Sequence, residues 1–506
     1  VKVALLHFHL RHGGVTSVLR AQTRHLLADQ PECTPTILSG EPPAIPTEWA
    51  HCPIHHLPEL AYQNHPASAH SARSIAAALL EHIRHNHVDI LHVHNPLLGK
   101  SPHLPEALRI LLGHGVPQLW QIHDFAEDGR FELLDRIPDH HHLYPLADHL
   151  HYAVLSQRDQ SLLQSAGIPV ANITILANPL TQPNVTPTPT PTNSRFLFAP
   201  IRALPRKNIG ELAAWAALLA ADGWTIGISQ PPTNPAHLEE YQHWKSTARK
   251  LHLPLQFDLG TTGPDAFAHH WQQCRAILTT SIQEGFGLAF TEAWLGGRPL
   301  LGRILPEATA ALRHAGLELA SCYRALLIHQ SILPGEWTGP SLTRKIAASL
   351  QKTTASYPFL AGIDPLQNIE NKLHPCPDQN QWIDFGQLPS QLQHQLIDPI
   401  RTTPDCCQLL LQDRTIRPAC QTFPHLLKSA DNHLEANKSL LHQHLDPHTA
   451  LAPLTKLYQS LANSQPGQLH HANFHPILNA TTNNLPIPLW PHRPPSTLEK
   501  RPVPAQ

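Results

Sequence analysis

Charge is scarce: Asp, Glu, Lys and Arg make up only 15% of the chain, against roughly a quarter in ordinary soluble proteins. With 36 Lys and Arg against 38 Asp and Glu the two signs almost cancel, which excludes a strongly basic nucleic-acid surface. The eight cysteines are irregularly spaced and none forms a CxxC pair, which excludes a disulfide framework and a redox or zinc dithiol motif. No run of 18 apolar residues occurs, so no transmembrane helix is expected, and the chain opens without a charged and then apolar leader. A cytoplasmic protein is the expectation. Neither GxxxxGK[ST], a full GxGxxG, HExxH nor GxSxG is present, which counts against P-loop ATPases, dinucleotide enzymes, zincins and serine hydrolases. Methionine is absent altogether.

What the chain has in excess is proline, 51 copies, and histidine, 40. At that abundance the groups His140-His141-His142, His92/His94 and His7/His9 are read as composition, and no metal centre is expected. The 506 residues allow two to four domains.

The chain alternates strand-like and helix-like periods. Lys2 to Leu10 reads as a buried strand, Gly13-Gly14 as a turn, and Val15 to Leu27 as a helix. Strands follow at Thr34 to Leu38, Asp89 to His94, Gln118 to His123, His149 to Leu155 and Ile173 to Leu176, with helices near 69–86, 102–114 and 157–166. Such alternation predicts a parallel sheet covered on both faces. The Pro- and Thr-rich stretch 183–194 predicts an extended connector. Beyond it the alternation restarts, with strands at Arg195 to Phe198, Thr225 to Ser229, Leu255 to Leu259, Ala276 to Thr280 and Pro299 to Leu301. The expected organisation is a first doubly wound domain over 1–182, the linker 183–194, a second over 195–350, and a mainly helical or irregular extension, 351–506, without an assigned role.

Chemistry concentrates in Ser281-Ile-Gln-Glu-Gly-Phe-Gly-Leu-Ala-Phe-Thr-Glu-Ala293, where Glu284 and Glu292 stand eight positions apart across a strand-to-helix junction. Gly285 and Gly287 let the backbone approach a ligand, and the amides from Gly285 through Phe286 to Leu288 open a helix suited to phosphate or sugar oxygens. Glu292 suits ribose hydroxyls and Glu284 a sugar. In Ala199-Pro-Ile-Arg-Ala-Leu-Pro-Arg-Lys-Asn208, Arg202 and Lys207 follow a strand and suit a diphosphate leaving group.

The EGFG and E-x7-E pattern resembles the retaining glycosyltransferases of family 4, and Arg-x4-Lys-Asn resembles that family's phosphate-binding segment, with Ile201 where the family usually has Gly. Gly13-Gly14 resembles its glycine turn and Asn178-Pro179 its NP turn. The resemblance implies an α/β protein of GT-B fold with two facing Rossmann-like domains. It also implies retaining, metal-independent transfer from a nucleotide-diphosphate sugar, UDP- or GDP-linked, without a cofactor. On that basis Arg202 and Lys207 stabilise the diphosphate. Glu284, Gly285, Phe286, Gly287, Leu288 and Glu292 bind the donor together with Gly13 and Gly14, and His123 orients the sugar. His94, Asn95, Asp124 and Arg130 line the acceptor side, where a glycan or small molecule is expected. A non-catalytic nucleotide-sugar-binding subunit and a phosphorylase-type use of the scaffold are the alternative readings.

Overall fold

The computed structural model describes residues 1–490 apart from 12, 30–32, 63–70, 180–182, 184, 187, 264, 286, 338–339, 365–366, 368, 377–380 and 445–446. It is built on two separate β-sheets with helices packed on both faces.

The first sheet runs in the order β3-β2-β1-β4-β5-β7-β8. Its strands are β1 (Lys2–His7), β2 (Thr34–Ser39), β3 (Ile54–His56), β4 (Ile90–His94), β5 (Gln118–Ile122), β7 (Leu150–Val154) and β8 (Ile173–Ile175), while β6 (Pro145–Leu146) lies outside it. Every pairing in this sheet is parallel. β1, β4 and β5 are buried over almost their whole length, as a sheet covered on both faces requires. The helix predicted over 69–86 spans Ala72–Asn86: the Ser71 hydroxyl accepts from the Ser74 amide at 3.1 Å, and His87, at φ 51°, turns left-handed to end it.

The second sheet runs β11-β10-β9-β12-β13-β14-β16-β17, with β15 also pairing β14. These strands are β9 (Phe196–Arg202), β10 (Thr225–Gln230), β11 (Leu255–Gln256), β12 (Ala276–Thr279), β13 (Leu300–Arg303), β14 (Cys322–His329), β15 (Trp382–Asp384), β16 (Cys407–Leu411) and β17 (Ile416–Pro418). Pairing is parallel from β11 to β14 and antiparallel among β14, β15, β16 and β17. In both sheets the strand order reverses beside the first strand, at β1/β4 and at β9/β12, where ligands of open α/β sheets collect. Of the linker, Thr188 accepts from the buried Arg298 guanidinium at 2.7 and 2.8 Å, which ties that residue to the second half.

The described residues after 350 join both halves. β15, β16 and β17 complete the second sheet, and helix Ala419–His444 packs on it. Helix Pro447–Ala462 then returns to the first sheet, where Leu451, Leu454, Tyr458 and Leu461 share a core with Val3, Leu5, Leu19 and Leu26. β18 (His470–His471) pairs with β6, and helix Phe474–Asn484 packs beside helix Gln157–Ser165. The irregular expectation arose from proline, because Pro399, Pro424 and Pro453 sit inside helices. A mid-helix proline costs about 3 kcal/mol, which burial of the apolar face offsets here.

Candidate active site

The carboxyl ends of β1, β4 and β5 face those of β9 and β12, and a cavity of about 280 Å³ lies between them. Gly14, His123 and Asp124 line it from the first half; Arg206, Lys207, Glu284, Gly285, Gly287, Leu288 and Glu292 line it from the second.

β12 ends at Thr279, and the segment after it is tied to the turn after β9: the Thr280 hydroxyl donates to the carbonyls of Lys207 (2.9 Å) and Asn208 (3.2 Å), and the Ile282 amide donates to Arg206 O at 2.9 Å. Asn208 closes that turn at φ 50°, its amide bonded to Glu211 at 2.9 Å. Two cations are thereby held against Glu284: Lys207 Nζ donates to Oε1, and Arg206 Nε stands 3.7 Å from Oε2. Burial pushes the Glu284 carboxyl up, but Lys207 and Arg206 outweigh it and hold the group below its ordinary value. Gly287, at φ 71°, makes the bend that starts helix Ala289–Leu295, and Glu292 one turn in reaches the cavity.

On the opposite wall the two halves nearly touch. A Cβ on Gly285 would meet the His123 carbonyl oxygen at 2.9 Å, and one on Gly14 would meet Leu288 Cδ1 at 3.7 Å. The His123 ring stacks on His94, and His94 Nδ1 and His123 Nε2 share a hydrogen bond of 2.9 Å. His94 stacks in turn on His92, which bonds the Tyr458 hydroxyl at 2.7 Å. His7 stands edge-on to His94, with ring centroids 6.5 Å apart, and burial drives all four imidazoles toward the neutral form: His7 and His92 fall to about 3, His123 to about 4, and His94 well below its ordinary value. Asp124 goes the other way. Burial would raise it, but Arg130, at 2.6 Å, and Arg206 across the cleft hold it down at about 2.

The structure thus brings together Glu284, Lys207, His123, Gly14, Gly285, Gly287, Leu288, Glu292 and Asp124. Phe286 lies outside the described residues. Gly13 precedes the helix and its carbonyl accepts from the Ser17 amide at 3.1 Å, but it does not line the cavity. Three expectations need correction. Arg202 ends β9 exposed and away from the cavity, and Arg206, four residues on, takes the place beside Lys207. Asn95 is structural: at φ 53°, its Oδ1 accepts from the His123 and Asp124 amides at 2.7 and 3.1 Å, so it shapes the wall and does not contact the cavity. His94 stands behind His123, fully buried. Arg130 reaches the cleft through Asp124 and lines the narrow space that continues beyond it.

Past Glu284 and Gly285 a second space of about 360 Å³ opens, lined among others by Arg158, Asp159, Gln283, Arg324 and Lys372. Arg158 takes Asp128 at 2.6 and 3.0 Å and crosses to Glu307 of the second half at 3.0 Å. The reading of the sequence missed Arg206 and Arg158. The signal was a basic pair in Pro205-Arg206-Lys207 and a capped helix start, in which the Ser156 hydroxyl accepts from the Asp159 amide at 3.2 Å.

Two facing Rossmann-like halves with a polar cavity at both switch points define the GT-B class of fold. No protein-family model matches the chain. In sequence it is similar to mannosylglucosyl-3-phosphoglycerate synthase of Petrotoga mobilis, 23% identical over 429 residues, which are 77% of this chain and 79% of that protein. Among solved structures it resembles a glycosyltransferase of Rickettsia africae, with a TM-score of 0.51, 12% identity, and 91% and 98% of the two chains covered. Anabaena HepE in complex with UDP superposes at a TM-score of 0.49 with 13% identity, over 91% of this chain and all of that one. What the structural likeness shows is the GT-B fold.

Proposed function

We propose that the chain is a retaining glycosyltransferase that moves a sugar from a nucleotide-diphosphate donor to a hydroxyl of a small-molecule or glycan acceptor, without a metal ion or other cofactor. The observation that carries this reading is the pair of cations, Arg206 and Lys207, held at Glu284 beside the Gly285–Leu288 turn with Glu292 on the next helix. Two adjacent cations at the strand ends suit a diphosphate, and a carboxylate one helical turn away suits the hydroxyls of a ribose.

In this reading Lys207 leaves Glu284 for the phosphate oxygens when the donor enters, and Glu284 turns to the hydroxyls of the transferred sugar. His123, neutral and propped by His94, orients the sugar from the opposite wall. The bond from the anomeric carbon to the diphosphate oxygen breaks, Arg206 and Lys207 take up the leaving charge, and the acceptor oxygen bonds the same face of that carbon. The acceptor proton passes to the departing phosphate oxygen, so no carboxylate base is needed. The acceptor enters from the space past Gly285, where Arg158, Arg324 and Lys372 supply donors. The product in the Petrotoga protein's name is a glycosylated phosphoglycerate, which supports a small-molecule acceptor. A cytoplasmic location goes with such substrates, and no helix among the described residues is long and apolar enough to cross a membrane.

The test is a thermal-shift screen against UDP, GDP, ADP and their sugars, repeated with Lys207→Ala and Glu292→Ala. A ligand at about 100 times its Kd adds roughly 2.7 kcal/mol. A shift with one nucleotide, lost in both variants, is expected. Proton NMR of the product then reads the anomeric configuration, and inversion overturns the retaining step. Binding without transfer to any acceptor points instead to a nucleotide-sugar-binding subunit.

A further inference from the structure

Away from the cleft, on the outer face of the second half, two helices bring together three side chains with metal-ligand chemistry. Glu240 and His243 lie three residues apart on helix Leu238–Lys250 and so share one face; His394 comes from helix Ser390–Thr402. One ligand atom from each lies within 4.8 Å of the others. His394 Nε2 and Glu240 Oε1 are 3.1 Å apart, close to the edge of about 3.3 Å that bonds of about 2.0 to 2.1 Å subtend in a tetrahedral zinc site.

The surroundings are those of a supported site. His394 Nδ1 meets the Thr247 hydroxyl at 2.9 Å, a partner able to donate or accept. With the hydroxyl accepting, Nδ1 keeps the proton and Nε2 offers its lone pair outward, the arrangement usual in metal-bound imidazoles. The Ser390 hydroxyl donates to Glu240, orienting that carboxylate too. The His394 ring is clamped against His243 and Trp244, with centroids 3.8 and 3.5 Å away, which fixes its plane. His243 is exposed, so its imidazole is free to turn from the stack toward the ion, leaving water to fill the fourth position.

We propose that Glu240, His243 and His394 bind a divalent transition metal, zinc by the softness of two imidazoles with one carboxylate, and that the ion clamps the two helices together. The clamp bears on the cleft through one neighbour. Gln393, beside His394, donates to Asn208 Oδ1 at 3.2 Å, and Asn208 closes the turn that presents Arg206 and Lys207. The ion takes no part in the transfer.

The experiment is equilibrium dialysis of the chelator-stripped full chain against zinc chloride, with cobalt(II) absorption as a report on geometry. Variants are His394→Asn, His243→Asn, Thr247→Val and, as a control for the many other histidines, the exposed His269→Asn. The expected result is one tight equivalent, with a tetrahedral cobalt spectrum, lost in His394→Asn and in His243→Asn and retained in His269→Asn. Thr247→Val, which removes only the support of the ligand, should weaken binding by about 10- to 100-fold. His243→Asn alters an exposed side chain, so an unchanged circular dichroism spectrum there separates loss of a ligand from loss of fold. No tight equivalent in the parent protein, or the same stoichiometry in the two ligand variants, overturns the proposal.

Discussion

Gly285 and His123, from opposite halves of the molecule, meet at their backbones: a Cβ on the glycine would stand 2.9 Å from the histidine carbonyl oxygen. That contact sets how far the cleft closes at the point where the donor sugar is proposed to lie. Gly285→Ala should therefore push the halves apart by a few tenths of an ångström or more while leaving each core intact. We expect kcat/KM to fall by about 10- to 100-fold, since misplacement by 1 Å costs on the order of 100-fold. Initial rates checked against thermal melting test this; wild-type rates would show that the close approach is incidental.

Glu284 and Lys207 are a nearly buried ion pair, with side chains 9% and 16% exposed, and this predicts a sign reversal between stability and binding. Removing Lys207 leaves Glu284 with Arg206 alone, 3.7 Å away, a loss smaller than the roughly 3 to 5 kcal/mol of a fully stranded buried charge, whereas replacing both partners is closer to neutral. Lys207→Met should thus unfold at markedly lower urea, and Lys207→Met with Glu284→Gln should recover most of the loss. Nucleotide-diphosphate binding should stay lost in the double variant. Recovery of both together would mean that Lys207 does not meet the diphosphate.

Arg202 and Arg206 are separated by the same measurement. Arg206→Ala removes a cation that faces Glu284 and Asp124 across the cleft, and should weaken nucleotide-diphosphate binding by at least about 10-fold, as loss of a charge-assisted contact does. Arg202→Ala, on an exposed side chain, should leave it within about 2-fold. Calorimetric titration with the preferred nucleotide decides; equal losses would put Arg202 back in the site.

The histidine stack predicts acid lability. His7, His92, His94 and His123 are all held neutral in the folded chain, with folded values depressed to about 3 to 4 where a value is resolved, against about 6.5 unfolded. The unfolded chain binds more protons in that interval. The stability these groups contribute is present above about pH 6.5 and is lost as pH falls from there through about 3. Each proton makes about 1.4 kcal/mol per pH unit, so urea midpoints should drop steeply below pH 6. His94→Gln, which keeps a hydrogen-bonding side chain, should flatten the slope.

Glu127 has the opposite sign. Its carboxyl is buried, accepts from the Tyr144 hydroxyl at 2.7 Å, and burial raises it from 4.5 to about 7. The folded state then holds a proton that the unfolded state releases, so stability falls as pH rises from about 4.5 through 7. Glu127→Gln should remove that loss, making the variant more stable than the parent at pH 8 by about 3 kcal/mol and no more stable at pH 4. Denaturation at the two pH values measures it.

Much of this molecule follows from local pattern. The alternation of buried strands with helices over 2–176 and 195–303 needs only side-chain periodicity, and Glu284-Gly-x-Gly with Glu292 carries its own geometry: a bend that glycine alone adopts easily, then a helix with the carboxylate one turn in. Tertiary structure decided the rest, because these outcomes depend on partners distant in sequence. Arg206 faces the cleft because the Ile282 amide bonds its carbonyl and turns the chain there, 76 residues away. Asn95 serves the wall because β5 brings two amides to its side chain. Three prolines disguise helices after 390 that hold because their apolar faces are buried against both sheets. Local sequence sets what each segment can become; which side chains meet across the cleft is set by the long-range packing that closes it.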